Sequence, residues 1–232
     1  MALSPSFKKK LKQIKNFFLV LIALQFGYII LLKWVNPPIT LTQLGSVFQG
    51  YGLQRQYVPM KMISKNMRLA VMASEDQLFP DHDGFDWTSI KKAMKYNKKK
   101  PNRVRGASTI SQQVAKNVFL WQGRSWIRKG LEVYFTFMIE TFWSKDRILE
   151  MYLNVAEMGK GTFGVEAASR NYFKKPAKKL TRSEAAQVAA ILPNPKKYSI
   201  KPLSNYVQRR ANWIQGQMNN LETDADIAAL LD

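Results

Sequence analysis

Residues 17–32 carry no charged side chain, and Gln25, Gly27 and Tyr28 alone interrupt a run of Phe, Leu, Val, Ile and Ala. A helix that is apolar all round has no polar face to give to water, so it belongs in a bilayer or deep in a core. Extended through Lys33, Trp34 and Val35, the segment covers residues 17–35, within the ~17–25 residues that a spanning helix needs. Its Leu, Ile, Phe and Val side chains, at ~0.3–0.6 kcal/mol each, gain roughly 4–7 kcal/mol on insertion, before the costs of Gln25 and the polar ends. A cleaved signal peptide is the rival reading. The run is longer than the ~7–15 residues of a signal core, and Asn36-Pro37-Pro38 follows it in place of a small-x-small cleavage site. The sequence therefore predicts one uncleaved transmembrane anchor. Lys8, Lys9, Lys10, Lys12 and Lys15 crowd its N-terminal side, against Lys33 beyond the other end. The positive-inside rule then places residues 1–16 in the cytoplasm as a basic tail, and everything after about Asn36 outside the membrane.

Charge narrows the partners further. The chain has 36 Lys and Arg against 16 Asp and Glu, a net charge of +20. Such an excess calls for an anionic partner: nucleic acid, an acidic membrane face or a phosphorylated ligand. A domain outside the membrane argues against nucleic acid. The absence of cysteine excludes disulfides, thiol nucleophiles and thiolate zinc sites. A single histidine excludes multi-histidine metal centres, so acid–base chemistry falls mainly to carboxylates.

After the anchor, residues 36–60 read as an extended connector with one short strand at most. Residues 61–220 read as one mostly helical domain, and 221–232 as a frayed acidic tail. Asp86 is placed to cap a helix through Ile90 and Met94, and Thr181-Arg-Ser-Glu184 has the form of a capping box. Ile110, Val114 and Val118 recur every four residues and predict a helix over 108–119 with Ser108 as its capping hydroxyl. Residues 126–143 are strongly apolar, but Arg128, Lys129, Glu132 and Glu140 would each cost ~2.5–3.5 kcal/mol at a bilayer centre. A core helix with one face toward the membrane interface fits better than a second span. A further helix runs from Lys145, with Ile148, Leu149, Tyr152, Leu153 and Val155 inward. The basic segment 91–105 reads either as a solvated loop or as a contact for anionic lipid headgroups.

Two segments carry the chemistry. Glu75-Asp76 follows the apolar Ala-Val-Met-Ala-Ser, surroundings that raise a carboxyl's proton affinity toward neutrality. Gly106-Ala-Ser-Thr opens the 108–119 helix, whose first-turn amides can attract phosphate. Arg128 and Glu132 stand four apart on one helical face: an ordinary ion pair or a carboxylate held for substrate. His82 reads as a hydrogen-bonder within its loop.

Taken in order, these segments resemble the family 51 glycosyltransferases of bacterial cell-wall synthesis, most closely the monofunctional peptidoglycan glycosyltransferases. The resemblance rests on five consecutive blocks. They are Glu75-Asp76-x-x-Phe79-x-x-His82-x-Gly84; Gly106-Ala-Ser108-Thr109-Ile-Ser-Gln112-Gln113-x-x-Lys116-Asn117; Arg128-Lys129-x-x-Glu132; Arg147-Ile-Leu-Glu150-x-Tyr152-Leu-Asn154; and Gly161-x-x-Gly164-Val-x-Ala-Ala168. Ala107 departs from the pattern where many members carry glycine. Ser89-x-x-Lys92 matches the nucleophile motif of the penicillin-binding transpeptidases, but no Lys-Thr-Gly follows, so no such domain is expected.

The resemblance implies a mainly α, lysozyme-like helical domain with a small membrane-facing lobe, preceded by the transmembrane helix. It implies polymerisation of lipid II, with a growing glycan strand as donor and inversion to a β-1,4 bond, releasing undecaprenyl pyrophosphate. Glu75 would be the general base and Glu132 a second carboxylate near the donor. Lys116, Arg124 and Arg128 would stabilise the pyrophosphate, and Ser108, Gln112 and Gln113 would supply neutral hydrogen bonds. A divalent cation, Mg or Mn, has a place at the pyrophosphate, although no dedicated ligand cluster is visible. Membrane lipids and the cell-wall synthesis or division proteins are the partners this implies, at the bacterial inner membrane with the catalytic domain in the periplasm. A lysozyme-like glycan-cleaving enzyme, which would not need the cations, and a non-enzymatic membrane-tethered basic scaffold are the alternatives.

Overall fold

The computed structural model describes residues 5–101, 106–123 and 125–231, and the chain divides into two compact units, residues 1–36 and 37–232. In the first, helix α1 runs Pro5–Leu31. Its stretch Ser6–Leu31 is long and apolar enough to cross a membrane, and almost none of the most apolar part is buried within the protein. The helix begins inside the basic tail. It stops short of Val35, because Lys33 and Trp34 close a turn onto the carbonyls of Ile30 and Leu31.

The second unit is mainly helical, as the lysozyme-like reading requires. The expected connector is more ordered than its composition suggests. Helix α2 (Leu41–Phe48) lies within it, started by a reciprocal cap in which Gln43 N donates to Thr40 Oγ1 (3.2 Å) and Thr40 N to Gln43 Oε1 (3.1 Å). Strand β1 (Gln54–Arg55) follows and pairs in parallel with β2 (Thr162–Phe163). Gly161 at that junction has φ +65°, and a Cβ there would lie 2.0 Å from the Tyr51 carbonyl oxygen, so only glycine lets the two segments meet.

Helix α3 (Lys65–Glu75) starts where Ser64 Oγ accepts from Met67 N. Every residue from Met67 to Ala73 is buried, so the helix threads the core rather than lying on it. Each buried Met, Leu or Val contributes about 1.5–3 kcal/mol by leaving water. Helix α4 (Trp87–Lys99) takes the predicted cap, with Asp86 Oδ1 accepting from Ser89 N at 2.8 Å, and buries none of its residues.

Helix α5 (Ile110–Phe119) packs against α6 (Trp126–Phe142) and α7 (Lys145–Val155). Its buried stripe of Ile110, Val114 and Val118 is the predicted one, but the cap is Thr109, not Ser108. Thr109 Oγ1 accepts from Gln112 N, and Gln112 Oε1 accepts from Thr109 N at 3.1 Å. Helix α6 turns Glu132, Thr136, Met138 and Ile139 inward and leaves Trp126 93%, Ile127 76% and Phe137 62% exposed. The five α7 residues predicted inward are all buried.

Helix α8 (Val165–Phe173) follows β2. Helix α9 (Arg182–Ile191) has the predicted Thr181–Glu184 capping box, and α10 (Asn205–Leu221) packs with α9 against α3. The terminal segment is not frayed. Asp224 caps the short α11 (Ala225–Ala229), Ile227, Leu230 and Leu231 are buried, and the Leu230 carbonyl accepts from Arg68 Nη1 at 3.0 Å.

Candidate active site

Glu75 is the last residue of α3. Its carboxylate stands at the C-terminal, electronegative end of the helix, where a negative charge is disfavoured. Gln113 on α5 reaches across to it, Nε2 donating to Glu75 Oε2 at 2.9 Å, while the Tyr152 hydroxyl of α7 donates to Gln113 Oε1 at 3.3 Å. The proton affinity of Glu75 is raised. Burial is the chief cause, and the Asp76 charge adds to it. The Gln113 hydrogen bond and the charges of Arg210 and Lys116 pull the other way without prevailing. This is the elevated glutamate expected from its neighbours in the sequence.

Asp76 does different work. It is buried, accepts from Ile110 N at 2.9 Å, and holds His82 Nε2 at 3.0 Å. Through these contacts one side chain ties the end of α3 to the start of α5. Burial pulls the His82 proton affinity down, but the Asp76 hydrogen bond and charge overcome that and leave it raised. The Gly84 amide donates to His82 Nδ1, and the Gly84 carbonyl accepts from Thr109 Oγ1 at 2.7 Å. Gly84 has φ +86°, and a Cβ there would lie 2.7 Å from Thr136 Cγ2. Glycine therefore lets this loop press against α6.

Lys116, one turn beyond Gln113 on α5, has its proton affinity lowered, chiefly by burial. The Glu132 carboxylate opposes this, Arg128 and Lys129 reinforce it, and Glu75 again opposes. Lys116 is thus close enough to feel the charges of both Glu132 and Glu75. On α6, Glu132 is 3% exposed. Arg128 Nη1 lies 2.6 Å from its Oε2, and Lys129 Nζ pairs with its Oε1. Arg128 Nε also donates to the Gly123 carbonyl at 2.8 Å, which aims the guanidinium along the loop before α6.

The structure therefore brings together Glu75, Gln113, Lys116, Arg128 and Glu132. Ser108 is exposed, just ahead of the α5 cap. Gln112 is buried and its side-chain carbonyl closes that cap. Arg124 lies outside the described residues, as do residues 102–105 of the basic segment. Two contributors escaped the sequence reading. Its sequence pattern places Tyr152 only in the core, although it stands in one of the five blocks. Arg210 comes from α10, donates to the Ser74 carbonyl at 3.3 Å and moderates Glu75; nothing near it in sequence points to position 75.

A carboxylate of raised basicity can accept a proton from a hydroxyl, and adjacent cations can stabilise an anionic leaving group. Among the described residues no three His, Asp or Glu side chains are placed to hold a metal ion, and both oxygens of Glu132 are taken by cations.

A family model described as transglycosylase matches residues 42–219, from the first turn of α2 to the last turn of α10. A biosynthetic peptidoglycan transglycosylase of Mannheimia succiniciproducens is 53% identical over 224 residues, covering 93% of this chain and 90% of that protein. Proteins of the same name from Escherichia coli and Shigella boydii are each 59% identical over 171 residues, covering 74% of this chain and 71% of their own length. With the raised glutamate and its cations inside the matched region, the chain belongs to the transglycosylase family.

Proposed function

We propose that this protein is a membrane-anchored peptidoglycan glycosyltransferase that polymerises lipid II into glycan strands. The observation that carries this reading is a carboxylate of raised basicity, Glu75, held by the Gln113 amide at 2.9 Å, with Lys116 near enough to feel the charges of both Glu75 and Glu132. The acceptor sugar's 4-hydroxyl gives its proton to Glu75 as its oxygen attacks the anomeric carbon of the donor strand. The bond from that carbon to the lipid pyrophosphate breaks, and the departing diphosphate takes the electron pair. Attack opposite the leaving group inverts the linkage from α to β-1,4 and releases undecaprenyl pyrophosphate.

Lys116 and Arg128 offset the charge that develops on the leaving group, and we assign Arg124 to the same task. Glu132 keeps Arg128 and Lys129 in place and keeps Lys116 protonated. Gln113 orients Glu75 for the acceptor, Ser108 supplies a hydroxyl to sugar or phosphate, and Gln112 fixes the start of α5.

The lysine-rich flank of α1 supports a cytoplasmic tail over residues 1–16, an anchor over 17–35 and a periplasmic catalytic domain over 61–220. The exposed apolar face of α6 would meet the bilayer where lipid-borne sugars lie. Cell-wall synthesis or division proteins would be its neighbours there. Incubating the full-length chain with lipid II, and separately with finished peptidoglycan, tests the reading. Polymer from the first and no cleavage of the second is expected. Cleavage of the second without polymer from the first would replace it with a hydrolase.

A further inference from the structure

Helix α10 carries two sets of side chains. Val207, Ala211, Ile214 and Met218 are its buried positions and serve its packing on α3 and α9. Beside them run Tyr206, Arg210 and Trp213, spaced by four and then three residues, which makes one stripe on a helix. Tyr206 is 37% and Trp213 44% exposed, so neither ring is used up in holding the helix down.

The stripe borders the end of α3. Arg210 Nη2 donates to the carbonyl of Ser74, the residue before Glu75, at 3.3 Å, and the guanidinium carbon lies 4.1 Å from the Trp213 ring centre. One turn further along, Gln217 accepts from Gln77 Nε2 at 3.1 Å. Tyr206 stacks on Tyr198, from the segment after α9, with ring centres 4.1 Å apart and planes 18° from parallel. The proton affinity of the Tyr206 hydroxyl is raised, chiefly by burial and then by Tyr198; Arg210 opposes this and the Glu75 charge adds to it. The two rings and the guanidinium thus stand beside the base, on a different helix from Lys116 of α5 and Arg128 of α6.

A pyranose ring is apolar on its C–H faces and polar at its rim. Flat aromatic side chains take such a face, and a fixed guanidinium takes the rim oxygens. In the proposed reaction the donor's first sugar is tied to the diphosphate, and so to the cations of α5 and α6. The sugar left to α10 is the acceptor's. We propose that Tyr206 and Trp213, with Arg210 between them, form the binding surface for the acceptor's sugar ring and hold its hydroxyl against Glu75. This rests on the glycosyltransferase reading above.

The test uses the full-length chain in phosphatidylcholine nanodiscs. Lipid II is the acceptor, and a labelled lipid-linked tetrasaccharide with its terminal 4-hydroxyl blocked serves only as donor. Tyr206→Ala with Trp213→Ala is expected to raise the acceptor KM about tenfold, with kcat and the donor KM changed by less than about twofold. Tyr206→Phe with Trp213→Phe, which keeps aromatic rings at both positions, is expected to recover most of the loss. Equal melting temperatures establish that the variants are folded; if the double alanine variant melts lower, the two single alanine variants are read in its place. An unchanged acceptor KM, or donor and acceptor KM raised alike, would overturn the proposal. Saturation-transfer NMR with the lipid-free disaccharide of lipid II reads the contact without turnover. Transfer to the sugar ring protons is expected in wild type and is expected to be lost in the alanine variant. Should wild type form no product, the glycosyltransferase reading fails, and this signal decides the platform by itself: equal transfer in wild type and the alanine variant, or none in wild type, would overturn it.

Discussion

The side-chain amide of Gln113 donates to Glu75 Oε2 across 2.9 Å, joining the end of α3 to the middle of α5. The same amide accepts from Tyr152, which leaves its NH₂ end facing the carboxylate. Burial raises the basicity of Glu75, and this contact, with Arg210, limits the rise. The base is therefore set by opposing influences from four helices.

Removing either moderating group raises Glu75 further. A base must be ionised to act, so the acidic limb of kcat/KM is predicted to move to higher pH in Gln113→Ala and in Arg210→Ala. In wild type that limb is predicted to lie above the ordinary glutamate value of 4.5. pH–rate profiles of the three proteins check this; a limb moved downward in both variants would contradict it.

Glu75 also bears on stability. A carboxyl whose folded-state proton affinity is raised destabilises the fold while ionised, and that penalty fades as pH falls through its folded pKa. Glu75→Gln is therefore predicted to melt higher than wild type at neutral pH, with the gap closing toward pH 4.5. A unit of this size shifts by about 2–4 °C per kcal/mol, which thermal melts across pH will resolve.

Glu132 holds the Lys116 proton affinity up against burial. Glu132→Gln removes that charge, so Lys116 loses its proton at lower pH. The alkaline limb of polymerisation is predicted to move to lower pH, and a profile unchanged above neutrality would show that Lys116 is not coupled to Glu132.

Asp76 serves His82 and Ile110 N at once from a buried position. Asp76→Ala leaves both without their acceptor and is predicted to lower unfolding stability by about 3–5 kcal/mol. Asp76→Asn, which keeps an oxygen for Ile110 N, should lose less. Denaturant unfolding of the two variants in detergent measures the difference.

Local signals carried much of this into the sequence. The Asp86 cap, the Thr181–Glu184 box and the inward face of α7 are short-range patterns, and the raised basicity of Glu75 follows from its apolar neighbours. Thr40-x-x-Gln43 is an equally good capping box, but the glycines and polar residues around it masked α2. At the C-terminus the acids Glu222, Asp224 and Asp226 suggested a loose tail. The packing of Ile227, Leu230 and Leu231 depends on contacts, such as Arg68 to the Leu230 carbonyl, that span most of the chain. Ser108 and Thr109 are both capping residues, and only the backbone path selects the second. Arg210 reaches position 75 by the packing of α10 on α3, which no local pattern encodes.

The most direct test of the central claim is polymer formation from purified lipid II by wild type and Glu75→Gln side by side, with circular dichroism to establish that both are folded. The account predicts that the variant keeps its fold and loses turnover by about 100-fold or more. Near-normal turnover in the folded variant would remove Glu75 as the base and contradict the mechanism.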